Sequence, residues 1–211
     1  MSTVNLRVSV PVCSFRKPYA REYLESERVP PPSTVYGFLL SLVGEEDRYK
    51  YVGTKLAIAL TSTPEVSTVL RTVWRIKNRK TPPGTGNNKR PDYQEILTGL
   101  ELGIWVQDGA LAQRLQSVRA PKNISRFGGL SLGESRDLVD EVVLSPSWDR
   151  KKGDWLAIDD SGEHPLPVWV DHVGSKGTRW GQFRLEDAPL DEPPVSGPRW
   201  ITIQPPEQDI G

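Results

Sequence analysis

Apolar and polar residues alternate from Val4 to Val10, with Asn5, Arg7 and Ser9 between Val4, Leu6, Val8 and Val10, the period-two pattern of a half-buried strand. Pro30-Pro31-Pro32 then stops regular structure. After it, Val35, Phe38, Leu39, Leu42 and Val43 fall on one face of a helix that Ser33 is placed to N-cap and Gly44 to close. Lys55–Leu60 and Thr68–Ile76 predict strands, and Leu100–Val106 predicts another. Leu111, Leu115 and Val118 share one face of a second helix over Ala110–Val118, with Asp108 as its N-cap. A strand over Leu138–Leu144 follows, ended by Pro146.

That order, β-α-β-β-α-β, predicts an α+β chain with a ferredoxin-like (RRM-like) core over residues 1–146. Between Ile76 and Leu100 no periodicity survives and Pro, Gly and Asn dominate, so the central hairpin is expected to extend as a long arm, about residues 71–104, with a flexible tip. Residues 147–211 have no helix pattern. Trp155–Ile158, Val168–Val170, Gly181–Leu185 and Trp200–Ile203 predict short strands there, forming a small C-terminal β appendage and tail.

Charge changes this picture. The 211 residues carry 27 Lys+Arg against 27 Asp+Glu, a balance that argues against a nucleic-acid partner only if the charge is evenly spread. It is not. From Val66 to Pro91 the chain has Arg71, Arg75, Lys77, Arg79, Lys80, Lys89 and Arg90 and no carboxylate, whereas the segment from Glu186 onward is acidic. Local asymmetry of this kind governs partner choice, and a basic loop favours a polyanion. Polar Asn5 and Arg7 precede any useful apolar run, so no signal peptide is expected. No stretch approaches the ~20 apolar residues of a membrane span. One cysteine, Cys13, allows no intrachain disulfide, which fits a reducing, cytoplasmic setting.

The candidate chemistry centres on Ser125–Ser135, where three glycines, the hydroxyls of Ser131 and Ser135, and Arg126 crowd together. Glycine lets a partner approach the backbone N–H groups, such groups can cradle an anion, and guanidinium pairs with phosphate bidentately. The alternative is an ordinary tight connection. Neither G-x-G-x-x-G nor the triphosphate-binding G-x-x-x-x-G-K-[ST] is present, so dinucleotide and triphosphatase chemistry are not indicated. Cys13 to Arg28 mixes Phe15, Tyr19 and Tyr23 with Arg16, Lys17 and Arg21 and reads as a loop. It either presents rings and cations to RNA bases and phosphates or tucks its aromatics under the core. The start of the first helix, at Ser33, offers N–H groups that could meet a phosphate. Cys13 with His164 could form a nucleophile–base pair, but a half-buried structural cysteine is the simpler expectation. Asp159, Asp160, Asp171 and His172 are too sparse for a metal site, so neither metal nor cofactor is expected.

Phe15-Arg16-Lys17-Pro18, Pro30-Pro31-Pro32-Ser33-Thr34-Val35-Tyr36-Gly37 and Arg126-Phe127-Gly128-Gly129-Leu130-Ser131-Leu132-Gly133-Glu134-Ser135 occur in that order. Together they resemble the Cas five family of RAMP proteins from type I CRISPR systems, over roughly residues 4–145. The resemblance implies a ferredoxin-like core with a β-hairpin thumb and a non-catalytic subunit that caps the 5′ handle of the CRISPR RNA in the Cascade surveillance complex. It also implies contacts with the Cas seven backbone subunit and the large subunit, and with target DNA indirectly. RNA contacts are then expected from Phe15, Arg16, Lys17, Tyr19, Arg21, Ser33, Arg71, Arg75, Lys77, Arg79 and Lys80, and from the loop residues Arg126, Phe127, Gly128, Gly129, Leu130 and Ser131. One branch of the family cleaves precursor RNA without metal, which would need His, Lys or Tyr at the scissile bond. The two histidines here, His164 and His172, lie in the C-terminal third, and no Lys-His pair follows the second helix.

Overall fold

The computed structural model describes residues 3–20, 23–74, 76–119, 124–126, 128–148, 151–170, 177–191 and 196–206. The N-terminal alternation becomes β1 (Val4–Cys13), which buries Val4, Leu6, Val8 and Val10 in the core. On the opposite side of this strand Arg7 Nη2 lies 3.1 Å from Glu141 Oε2.

The segment after Cys13, expected as a loop, instead folds into short ribbons. β2 (Phe15–Arg16) pairs with β4 (Ser26–Glu27), and β3 (Tyr23–Leu24) lies between them in sequence. Apolar burial explains this, because Phe15, Leu24 and Val29 all enter the core while Ser26 Oγ accepts the Phe15 N–H at 2.9 Å.

α1 (Pro32–Val43) begins two residues earlier than predicted, with Pro31 rather than Ser33 at the N-cap. Proline at the first helical position sacrifices no intrahelical bond. Gly44 ends the helix in the left-handed region (φ 69°), as its position predicts. A Cβ at Gly44 would sit 2.2 Å from the Ser125 carbonyl oxygen, so the absent side chain lets the glycine-rich segment touch the helix end.

β5 (Lys55–Leu60) matches its predicted bounds. β6 (Glu65–Trp74) and β7 (Lys89–Val106) form an antiparallel hairpin in register from Glu65↔Thr98 to Trp74↔Lys89. β6 starts three residues before the predicted Thr68 and ends at Trp74 rather than Ile76, while β7 runs eleven residues further back than the predicted Leu100. These starts are earlier because cross-strand hydrogen bonding continues where the outer faces meet solvent and the apolar signal fades. α2 (Ala110–Gln116) passes into a 3₁₀ turn at Ser117–Arg119, and its N-cap is Gly109 rather than Asp108. β8 (Glu141–Leu144) starts three residues late, since Leu138 is taken by an isolated bridge to Ser131. β9 (Lys152–Ile158), β10 (His164–Trp169), β11 (Arg179–Pro189) and β12 (Ile201–Thr202) complete the described elements.

The result is a mixed α/β chain dominated by a mostly antiparallel sheet, of ten strands among the described residues. Its main path runs β10-β11-β9-β5-β7-β1-β8, and β12, β3 and β6 pair alongside it, β3 in parallel to β7. β9 joins β5 through Ala59↔Trp155 and Leu60↔Asp154, which carries the C-terminal strands onto the same sheet. β5 is buried on both faces, hence its continuous apolar run. Leu56, Ile58 and Leu60 pack in the core with the helices, while Ala57 and Ala59 meet Trp105, Trp155 and Trp200 on the other side. Trp105 and Trp155 stack with centroids 4.4 Å apart. Among the described residues no helix is long and apolar enough to cross a membrane.

Candidate nucleic-acid interface

Two separated motifs, the start of α1 and the glycine-rich loop, meet across one open cleft of about 630 Å³. α1 contributes Ser33, Thr34 and Gly37, the loop contributes Arg126, Ser131 and Gly133, and the connection after α1 contributes Arg48. The helix start offers fewer donors than expected. Pro32 has no N–H, and the Thr34 and Val35 N–H groups both donate to the Pro31 carbonyl. Ser33 is buried, and its carbonyl accepts a bond from Arg48 Nη2 at 3.2 Å. The cleft carries both signs, since Glu45 and Glu46 line it beside Arg48 and Arg126, and Glu45 is paired with Lys50. The groups here that suit an anion are the hydroxyls and guanidinium groups, more than the helix end.

Arg48 lacked a motif in the sequence. Its guanidinium lies 5.1 Å from the Trp169 ring centroid and 5.6 Å from that of Tyr36, and burial pulls its proton affinity down from the usual arginine range. Trp169 comes from β10, so a residue 121 positions away holds Arg48 at the cleft. The Tyr36 hydroxyl donates to the Arg48 carbonyl at 2.8 Å, and burial raises that phenol to about 12.

The glycine-rich loop is pinned by its own carboxylates. Asp137 Oδ2 accepts the N–H groups of Ser14 (2.9 Å) and Glu134 (2.8 Å). Burial pushes the Asp137 carboxyl up from the ordinary range, and those two N–H groups pull it back. Gly133, at φ 119°, has no room for a Cβ, which would stand 2.6 Å from Asp137 Oδ2 and 2.8 Å from the Ser14 carbonyl oxygen. The N–H groups of Leu132, Glu134, Asp137 and Val139 are spent inside the chain. Those of Gly128 and Gly129 have no acceptor among the described residues, and both glycines are exposed, Gly128 at φ 78°. Leu130 and Ser131 are half-buried and Arg126 is exposed.

The predicted residues thus divide. Ser33, Arg126 and Ser131 share the cleft. Phe15 is 4 % exposed in the core, so it cannot stack a base without leaving it; its alternation with exposed Arg16 already hinted at this. Lys17 and Tyr19 line a different cleft, and Arg16 Nη2 is committed to the Ala20 carbonyl at 2.8 Å. Arg71, about a third exposed, is bound to Glu134 and Gln94. Lys77, Arg79 and Lys80 are exposed at the arm's end. Arg21, Arg75 and Phe127 lie outside the described residues.

The arm's tip, expected to be flexible, is folded around buried Asn88. Its Oδ1 accepts the N–H groups of Lys77 (2.8 Å) and Asn78 (2.9 Å), and its Nδ2 donates to the carbonyls of Asn78 (2.8 Å) and Thr81 (2.5 Å). Cys13 is fully buried, and burial followed by the Asp137 charge pushes its thiol up to about 12, the setting of a structural core cysteine. Among the described residues no group of three potential ligands converges on a metal position.

Solved structures share this fold. A chain of a CRISPR RNA-guided surveillance complex superposes with TM-score 0.61, covering 97 % of this chain and 92 % of its own at 16 % identity. A Cas protein crystal structure superposes with TM-score 0.51, covering 90 % and 95 % at 14 % identity. In sequence, the CRISPR-associated protein Cas5 of Myxococcus xanthus (strain DK1622) is 42 % identical over 193 residues, 87 % of this chain and 90 % of that protein. The chain belongs to the Cas5 family of CRISPR-associated proteins. No protein-family model matches it.

Proposed function

We propose that the chain is a non-catalytic subunit of a type I CRISPR surveillance complex that binds the CRISPR RNA and holds its 5′ handle. The observation carrying this reading is the cleft in which Arg48 and Arg126 converge with Ser33, Thr34 and Ser131. Two guanidinium groups and three hydroxyls suit phosphate oxygens, and Gly128 and Gly129 are exposed on the same loop. We read β8-β1-β7-β5, in that spatial order, as a ferredoxin-like core, and β6 with the outer half of β7 as a thumb. Exposed Lys77, Arg79 and Lys80 at the thumb's end then face RNA or the neighbouring Cas seven backbone subunit. The large subunit packs nearby, target DNA is met only through the complex, and the setting is cytoplasmic.

Charge reversal tests this. Arg126→Glu should sharply reduce the guide RNA that co-purifies with the assembled complex, and undiminished recovery refutes the assignment. No catalytic role is assigned to the subunit. Among the described residues the only imidazole, His164, lines a different cleft from Arg126 and Ser131. Incubation of the protein with repeat RNA in the absence of metal checks this, and site-specific cleavage lost in His164→Ala would make the chain an endoribonuclease instead.

A further inference from the structure

A second cleft, of about 970 Å³, opens between the β2–β4 ribbon and the β10–β11 hairpin. Its lining is more acidic than that of the first. Carboxylates of Glu25, Glu27, Glu95, Asp160 and Glu163 line it, against the cations Lys17 and Arg28 and the imidazole of His164. Most of these have a partner already. Glu25 lies 3.9 Å from Lys17, and Glu95 accepts from the Ser26 N–H (3.0 Å) and the Tyr23 hydroxyl (3.3 Å).

Glu27 does not. It is 9 % exposed, yet among the described residues its carboxylate accepts no hydrogen bond and joins no ion pair. His164 Nε2 is likewise buried without a hydrogen bond, 3.5 Å from Glu163 Oε1. A carboxylate held mostly out of water without a protein donor is costly, and the Glu27 oxygens open onto the cleft, so a donor seated there relieves that cost. Tyr19 (86 % exposed) and Trp180 (43 % exposed) line the same space with open aromatic surface.

We propose that this cleft is a socket for the guanidinium of an arginine side chain on a partner polypeptide. Guanidinium meets each demand at once: positive charge for a carboxylate-rich lining, a fork of N–H donors for Glu27, and a plane that stacks on Tyr19 or Trp180. A divalent ion does not, since no three ligands converge among the described residues. RNA phosphate is repelled by the same carboxylates. The inference is independent of the RNA-binding reading, because it concerns a different cleft and a different class of partner.

The test is an NMR titration of the full chain with N-acetyl-arginine amide, followed on the backbone amides of Glu27 and Gly181. N-acetyl-citrulline amide (the same shape without charge), N-acetyl-lysine amide and guanosine monophosphate serve as competitors in class. Saturable shifts with the arginine derivative are expected, weakened about tenfold or more for citrulline and in Glu27→Gln, as for a lost charge-assisted bond. Trp180→Ala, at a partly exposed position, should weaken binding without touching Glu27. No saturable shift, equal binding of citrulline, or tighter binding of the lysine derivative or the nucleotide overturns the proposal.

Discussion

The Arg71 guanidinium lies 3.2 Å from the Glu134 carboxylate, tying the arm's inner face to the glycine-rich loop 63 residues away. Gln94, on the strand paired with β6, completes the junction. Its Nε2 donates to Ser14 Oγ (2.9 Å) and Glu134 Oε1 (3.1 Å), and its Oε1 accepts from Arg71 and from Arg136 (3.0 Å). Arm, loop and the end of β1 therefore share one polar network, and a disturbance of one is felt by the others.

Arg71 and Glu134 are each about a third exposed, so Glu134→Gln alone should cost about 1 kcal/mol or less in urea denaturation. Gln94 is buried with both ends of its amide engaged, and Gln94→Ala should cost about 2 kcal/mol or more. A double-mutant cycle between the two should be non-additive, and strict additivity would mean that they do not act together.

Gly133→Ala combines a positive φ with a clash against backbone at the Ser14 carbonyl. It should destabilise the protein by about 1–3 kcal/mol in thermal unfolding. Gly53→Ala, also at positive φ but with nothing within 4 Å of the new Cβ, should cost less. Equal losses would place the whole effect in the backbone conformation.

Asn88→Ala removes four hydrogen bonds that organise the arm's tip. Faster amide exchange at Lys77 and Asn78 and faster tryptic cleavage at Arg79 and Lys80 are expected, with β1 exchange unaltered. Unchanged protection at the tip would show that β6–β7 pairing alone orders it.

Burial raises the Glu27 carboxyl, while Lys17 and His164 pull it down and Glu25 pushes it up further. A raised folded-state value means that the folded chain binds the proton more tightly, so stability falls as pH rises through the window above the ordinary carboxylate range. Glu27→Gln should therefore be the more stable protein at pH 7, with the advantage shrinking at pH 4. Urea midpoints at both values check the sign, and a variant less stable at pH 7 would reverse it.

Arg126→Gln should lower RNA affinity and flatten its salt dependence, reducing the slope of log K against log salt by about 0.7 for one lost contact to a single strand. An unchanged slope would remove Arg126 from the phosphate-contacting set.

Much of this protein was legible in the chain order of its residues. Alternation marked β1, the unbroken apolar run marked β5, and Gly44 marked the end of α1, because each is a local demand of pleat, two-sided burial or a left-handed cap. The family resemblance was carried by contiguous motifs for the same reason. Tertiary structure alone decided what each charged or aromatic residue does. Phe15 and Arg71 looked like ligand-facing groups, yet one is core and the other is bound to Glu134, since a two-residue strand is too short to establish a period and a partner 63 residues distant leaves no trace in one. Arg48, Asn88 and Glu27 carried no motif at all. Their roles arise from rings, carbonyls and carboxylates brought together by strand pairing across the sheet, and a one-dimensional pattern does not encode such meetings.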